Sequence, residues 1–321
     1  MTKLYNTQTE ITNKFREFLK KYIPSLRKTQ LNIIPEILFG MISSESVVSS
    51  DIAKCLKNEF SFIQLSSIQR RIRRFFNNEL FDHEDFYNSL IISVISKYKL
   101  KHKDKRIHIT FDHMFSHDNY VTLMFTMRVG KQGIPIWFKS FKQEYINKEI
   151  STEKGGTIAF NESLIIEGIK HISGLFDESF DLIFLADRWF NSEKILSTIA
   201  SLGHTYCIRL KKNIKLFIYD KKEGHKIWKW LSDLPSHKYH AIVHKDIELY
   251  DSKYKTNIVI SKYLNTKDSW IIVTNKDVEK IIEDNISIKY IKCGCISSII
   301  AKEFLNNNIK PYKQSAIFRS Y

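Results

Sequence analysis

The hydrophobic and polar positions change period along the chain. Over residues 1–100, apolar side chains recur every three to four positions, through Ile11, Phe15, Phe18 and Leu19 and again through Leu31, Ile34, Ile37 and Leu38. That spacing collects them on one helix face and predicts a helical segment. Ser49-Ser50-Asp51 reads as the cap of a helix over Ile52–Lys57, and Ser66-Ser67 as the cap of another over Ile68–Phe76, because short polar side chains accept the unpaired amides of a first turn. From residue 105 the period falls to two. Arg106-Ile107-His108-Ile109-Thr110-Phe111-Asp112 alternates and reaches an acid, Asn119–Val129 is a second strand, and Ile134-Pro135-Ile136-Trp137-Phe138 opens a third after the turn Gly130-Lys131-Gln132-Gly133. Strands joined by such short turns predict an antiparallel meander.

Helical spacing returns over Asn161–Ser173, with Leu164, Ile165, Ile169 and Ile172 on one face. The apolar run Asp181–Ala186 follows and stops at Asp187; then come a helix over Ser192–Leu202 and a strand over His204–Leu210. The order βββαβαβ is that of a ribonuclease-H-like α/β core, a mixed sheet with helices on its faces. Residues 211–275 carry short apolar runs at Ile214–Tyr219, Tyr239–His244, Ile247–Tyr250, Asn257–Ile260 and Trp270–Val273 between Lys-rich turns, which predicts a β-rich insertion. Residues 276–321 open with helical spacing near Val278–Glu283 and then lose any period. The expected organisation is an all-α DNA-binding domain over 1–104, the first part of the core over 105–210, the insertion over 211–275 and an irregular C-terminal helical part of the core over 276–321.

Composition narrows the function classes. With 321 residues and 43% hydrophobic content the chain suffices for two or three domains with real cores, which excludes bulk disorder. The longest apolar run, Leu90-Ile91-Ile92-Ser93-Val94-Ile95, is too short to span a bilayer. The first residues carry acids and amides where a leader would be basic and then apolar, so no membrane and a cytoplasmic, nucleoid-associated location are expected. Cys55, Cys207, Cys293 and Cys295 lack disulfide spacing. Lys and Arg number 50 against 35 acids, a formal +15, and residues 1–106 alone hold 19 bases and 11 acids, or +8. Such an excess favours a polyanion, with nucleic acid the default, although codon usage in an AT-rich gene also raises Lys. The segment Gln69-Arg70-Arg71-Ile72-Arg73-Arg74 makes the helix over 68–76 basic. Two helices joined by a short turn, the second basic, outline a helix-turn-helix in which Arg70, Arg71, Arg73 and Arg74 contact phosphates or guanine edges. A bundle with a solvated basic face fits the same pattern.

Two acids carry the candidate chemistry. Asp112 and Asp187 each end an apolar strand. Sheet pairing that brings two such ends together lets them hold a divalent ion, and with a third acid a pair of ions suited to in-line phosphoryl displacement. Oxygen donors select Mg2+ or Mn2+. Either Asp alone reads equally as a solvated turn residue. Arg188 beside the second acid, and Lys211, Lys212 and Lys215 after the next strand, are candidate phosphate contacts. Trp228-Lys229-Trp230 either packs in a core or stacks on unpaired bases. His108, His113 and His117 lack the partners of a zinc site, and Asp118 reads as a turn residue.

These residues resemble a family. Thr110-Phe111-Asp112, with Gly133-Ile134-Pro135 between the following strands, resembles the first acidic motif of bacterial insertion-sequence DDE transposases. Leu185-Ala186-Asp187-Arg188-Trp189-Phe190 is similar to the second, an Asp-Arg-Gly-Phe block in which Trp189 replaces Gly, and His204–Lys211 is similar to the strand that follows it. The resemblance implies a ribonuclease-H-like core with a β-rich insertion, Asp112 and Asp187 as catalytic acids on Mg2+ or Mn2+, and DNA cleavage with strand transfer. It implies double-stranded element-end and target DNA as partners, and a homodimer in the DNA complex. The group's third motif is Tyr-x2-Arg-x3-Glu-x6-Lys. Tyr290 fits its Tyr, but Cys293 stands at the Arg position and Ser297 at the Glu position. Glu303 and Lys310 keep the Glu-x6-Lys spacing without Tyr or Arg ahead of them. Glu303 is therefore the candidate third catalytic and metal-binding acid, with Tyr290 and Lys310 as candidate DNA contacts. The abrupt loss of pattern predicts a frameshift near 290–292 and a truncated product. A catalytically defective remnant that only binds DNA, or another ribonuclease-H-like nuclease, are the alternatives.

Overall fold

A computed structural model describes residues 2–57, 63–101, 105–115, 119–129, 132–142, 157–220, 224–234, 242–249, 254–261 and 270–276. The chain forms two compact units, a helical one before residue 104 and a mixed α/β one after it. Among the described residues no single helix is long and apolar enough to cross a membrane.

The helical unit contains α1 (Thr2–Tyr22), α2 (Lys28–Ser44), α3 (Ser49–Lys57), α4 (Leu65–Phe76) and α5 (His83–Lys101). Its core joins Leu19 and Ile23 to Ile33, Ile34 and Ile37, then to Ile52, Ala53 and Leu56, and to Ile68 and Ile72 of α4. The close approach of α2 and α3 needs Gly40, where a Cβ would stand 2.7 Å from Ile52 Cγ2. Both sequence-based helix starts are corrected. Helix α3 already begins at Ser49, because the Ser46 hydroxyl accepts the Val48 amide (3.1 Å) and donates to Asp51 Oδ2 (3.1 Å) one turn earlier. Helix α4 begins at Leu65 behind Gln64, which makes no side-chain cap. Seven residues, 58–64, separate α3 from α4, more than the three or four of a helix-turn-helix turn.

Among the described residues the second unit is built on one ten-stranded sheet of order β3-β2-β1-β4-β5-β10-β9-β8-β6-β7. Strands β1 (Arg106–Phe115), β2 (Tyr120–Val129) and β3 (Gln132–Lys142) form the antiparallel meander. Helix α6 (Thr157–Leu175) leads to β4 (Asp181–Ala186), and α7 (Glu193–Ser201), capped by Ser192 Oγ on the Ile195 amide, leads to β5 (Thr205–Arg209). Strand β4 lies parallel to both β1 and β5. The alternation in β1 and β2 is explained by what each face meets. Ile107, Ile109, Phe111, Val121, Leu123, Phe125 and Met127 are buried on one face. Helix α6 covers that face with Leu164, Ile165, Ile169 and Ile172, all buried. It comes so close that a Cβ on Gly168 would stand 2.5 Å from Phe125 Cε2. The other face carries polar pairs, Thr110 with Thr126 and Thr122 with Ser140.

Residues 211–275 are β-rich, and their strands extend the same sheet. They are β6 (Lys215–Asp220), β7 (His225–Trp230), a 3-10 turn at Leu231–Asp233, β8 (Ile242–Leu249), β9 (Tyr254–Ser261) and β10 (Trp270–Thr274), with β10 antiparallel to β5. Strand β7 was not expected from the sequence. The described parts of the runs at 239–244 and 247–250, residues 242–244 and 247–249, belong to one strand, β8, which bulges between them. Asp246 takes a left-handed φ of 53° there, and its amide donates to Asn257 Oδ1, a conformation Asp tolerates better than most residues. The expected helix near Val278–Glu283 lies outside the described residues.

Candidate functional site

Strand register builds the site. The parallel ladder between β1 and β4 runs from Arg106↔Asp181 to Thr110↔Leu185. Asp112 and Asp187 each lie two residues beyond its last pair, so the two acids are level on neighbouring strands. Both side chains belong to one face of the sheet, and they are near enough for the Asp187 charge to raise the Asp112 carboxyl. The ladder between β4 and β5 ends at Ala186↔Ile208, which makes Arg209 level with Asp187. Its Nη1 stands 3.7 Å from Asp187 Oδ1. The row across the sheet is therefore Asp112, Asp187, Arg209. One expectation is corrected: Asp112 does not end its strand. β1 continues to Phe115, because β2 is long enough to pair with Met114 and Phe115. Asp112 instead begins the stretch where β1 has left β4.

Burial pushes the Asp112 carboxyl up, the neighbouring Asp187 charge adds to the shift, and the His113 amide donating to Oδ1 at 2.8 Å opposes it. Burial also lowers the basicity of His113, whose ring packs on Phe190. Phe190 is the anchor of the turn that follows β4. Its amide returns to the Asp187 carbonyl at 3.1 Å, and its ring, 2% exposed, lies edge-on to Phe111. Phe111 in turn stacks on Phe125. The apolar neighbours of the two acids thus interlock and fix both backbones. Below the acids on the same face, Ile183, Leu185, Cys207 and Ile272 form a buried cluster.

Arg188 and Trp189 occupy the exposed part of this turn. Trp189 is 71% exposed, and Lys211 Nζ sits 3.9 Å over its ring. Lys212 is exposed on the adjoining connection. The structure thus brings Arg188, Lys211, Asp112 and Asp187 to one end of the sheet. Glu303, Tyr290 and Lys310 lie outside the described residues. Among the described residues no group of three His, Cys, Asp or Glu stands close enough to hold a metal. His108 and His113, five apart on β1, face opposite sides of the sheet, and His117 and Asp118 lie outside the described residues. Arg209 was missed from the sequence. The signal was a charge ending each of two consecutive parallel strands.

A second candidate surface lies on the helical unit. Ile68 and Ile72 turn α4 into the core, and the opposite face, Ser66, Gln69, Arg70, Arg73, Arg74 and Asn77, lines a shallow open groove. Arg71 points elsewhere and pairs with Glu36 at 2.6 Å. Burial pushes the Glu36 carboxyl up even with that guanidinium beside it. The arginine cluster thus divides into three groove-lining residues and one that ties α4 to α2. Ser66, Gln69 and Asn77 were not singled out from the sequence.

No protein-family profile and no curated protein matches the chain. Among solved structures it is similar to the X-ray crystal structure of Marinitoga piezophila Argonaute in complex with 5' OH guide RNA and target DNA, at 15% identity over 70% of this chain and 30% of that one, with a TM-score of 0.24. It is also similar to the Aquifex aeolicus PPX-GPPA enzyme, at 11% identity over 62% of this chain and 63% of that one, with a TM-score of 0.19. The chain therefore spans less than two thirds of either protein's length. At these TM-scores neither likeness bears on fold or activity.

Proposed function

We propose that this chain is a DNA-processing enzyme with a ribonuclease-H-like core, of the insertion-sequence DDE transposase kind. It binds element ends and cuts and joins DNA with a divalent cation. The observation that supports this reading is that Asp112 and Asp187 each stand two residues beyond the last pair of the parallel β1–β4 ladder, on one face of a sheet segment ordered β3-β2-β1-β4-β5. The donor chemistry fits Mg2+ or Mn2+. Two carboxylates share one face, and burial first, with the Asp187 charge adding to it, raises the Asp112 carboxyl, a cost that a bound cation would offset. Asp112 and Asp187 would hold the ion, which when bound supplies Lewis-acid activation of a phosphodiester and its attacking hydroxyl. Glu303 is the proposed third ligand.

The chain's own residues supply the rest. Arg209 offsets the charge of Asp187 and orients its carboxylate. Arg188, Lys211 and Lys212 hold the phosphodiester backbone near the acids, while Arg70, Arg73 and Arg74 hold duplex DNA on the helical unit. A homodimer, with each copy holding one element end, completes the reading.

The remnant reading, DNA binding without cleavage, is favoured by one observation, the Cys293 and Ser297 that occupy the Arg and Glu positions of the third motif. Incubating the full chain with element-end DNA and Mg2+ or Mn2+ separates the two. The enzyme reading expects nicking that Asp112→Asn and Asp187→Asn abolish while gel-shift affinity persists. Binding without nicking in the wild type supports the remnant, and nicking that survives both substitutions removes the acids from the site.

A further inference from the structure

Among the described residues, three tryptophans lie on the surface. Trp189 is 71% exposed, Trp228 47% and Trp230 45%. Tryptophans left in water at this density call for a partner, and their setting indicates which. Trp228 and Trp230 are two residues apart on β7, so they share a face of that strand, which forms one edge of the sheet. Across the hairpin Trp230 is opposite Lys215 and Trp228 is opposite Phe217. The opposite face takes Leu216 into the core, which leaves the tryptophan face outward. Lys215 Nζ sits 4.8 Å over the Trp230 ring, and Phe217 packs against Trp228.

The arrangement repeats at the acids, where Lys211 covers Trp189. The two lysine–tryptophan pairs are joined by the connection Lys211-Lys212-Asn213-Ile214-Lys215. Four residues reach at most about 14 Å, so the pairs are near neighbours along one path. The register agrees. Asp187, Arg209 and Ile272 continue through Val259 of β9, and Lys255 of β9, Glu248 of β8, Phe217 and Trp228 lie on that same face of the sheet.

We propose that this path binds an unpaired DNA strand that leaves the carboxylate row, follows Lys211, Lys212 and Lys215, and stacks its bases on Trp189, Trp230 and Trp228. The inference rests on the DNA-processing reading and names the form of DNA the site takes. Each ring-and-ammonium pair matches a nucleotide, a flat base beside a phosphate. A duplex hides its base faces and offers these rings only backbone, whereas a single strand turns its bases out. A second copy adding a strand to the β7 edge is opposed by Lys226 and Lys229 on that strand, since edge lysines block strand pairing.

The test measures binding of the full chain to a labelled 15-nucleotide oligo-dT and to a duplex of equal length, by anisotropy at fixed low salt. Trp228→Ala/Trp230→Ala, and separately Trp189→Ala, are expected to weaken oligo-dT binding by about 5- to 150-fold per base stack lost, with duplex affinity changed by less than about twofold. Arg70→Gln/Arg73→Gln/Arg74→Gln is expected to do the reverse. Trp228→Phe/Trp230→Phe keeps two rings and is expected to recover most of the affinity. No recovery would assign the alanine effect to hairpin packing and overturn the proposal. So would unchanged oligo-dT binding in the alanine variants, or equal losses for both DNAs. Wild-type binding to duplex but not to oligo-dT defeats this inference alone, and binding to neither defeats the DNA reading beneath it.

Discussion

Replacing Asp112 with Asn is expected to stabilise the α/β unit when no metal is present and to abolish its stabilisation by metal. Asp112 and Asp187 are level on adjacent strands. Two unit charges about 5 Å apart repel by about 0.8 kcal/mol in water and about 3 kcal/mol at an effective dielectric of 20. Although the surrounding protein partly desolvates Asp112, its side chain keeps an exposed face, and Arg209 lies 3.7 Å from Asp187, so the lower end applies, about 1 kcal/mol. For a unit of this size that raises Tm by about 2–4 °C. The pH dependence has a definite sign. Burial, followed by the Asp187 charge, raises the folded-state Asp112 carboxyl above its ordinary 3.8. The folded state therefore holds that proton more tightly, and the cost of ionising it is absent below the ordinary value. It grows as pH rises through the raised value and is complete above it. The variant's advantage should vanish at low pH and be full at pH 7. Metal reverses the order: at 100 times Kd a bound ion adds about 2.7 kcal/mol to the wild type alone. Tryptophan fluorescence reads this unit selectively, because all 5 tryptophans, Trp137, Trp189, Trp228, Trp230 and Trp270, lie in it. A variant that melts lower in metal-free buffer, or equal stabilisation of both proteins by MnCl2, would refute the reasoning.

The part of the fold that could be read from sequence is the part set by local periodicity. Ile107, Ile109 and Phe111 alternate because one face of β1 is covered and the other is not, and Leu164, Ile165, Ile169 and Ile172 recur at helical spacing because α6 does the covering. What pairing decides was hidden. Asp112 closes an apolar alternation, so it resembled a strand end, yet β2 carries β1 three residues further. The β8 bulge was invisible because a Lys-Asp pair between apolar runs reads as a turn, whereas Asp246 absorbs the irregularity in one backbone angle. The helix starts were misread because a local serine motif suggests a cap wherever it occurs, while the chain entering α3 is held earlier, by the Ser46 hydroxyl between the Val48 amide and Asp51. In the site, both acids were legible as charges closing apolar runs. Their level placement, and the arrival of Arg209 beside them, follow from two parallel registers that no single segment encodes. The tryptophans of β7 are ambiguous for a related reason: Trp-Lys-Trp suits a buried strand or an exposed one, and only its place at the sheet edge decides.

Replacing Arg70, Arg73 and Arg74 with Gln should flatten the log–log salt dependence of duplex binding by about 0.9 per lost phosphate contact; an unchanged slope in a titration from low to moderate salt would take the α4 groove out of the DNA interface. Arg71→Gln should leave that slope unchanged, since its guanidinium is engaged by Glu36, and should cost at most about 1 kcal/mol in denaturant melts. Gly168→Ala tests how the helical layer supports the acids. The new Cβ would lie 2.5 Å and 2.9 Å from the Phe125 ring and 3.0 Å from Trp137 Cε3. Phe125 is fully buried and stacked on Phe111, so its ring has no open space into which to retreat. The helix must lift or the stack must shift, and such overpacking costs about 1–3 kcal/mol. Because Phe111 precedes Asp112 and holds Phe190 beneath the Asp187 turn, the same strain reaches both carboxylates. The variant should lose Tm and also respond less to MnCl2 than the wild type. A Tm loss with an undiminished metal response would mean that the Phe111–Phe125 stack supports the sheet alone, and that the acids are positioned by strand register independently of α6.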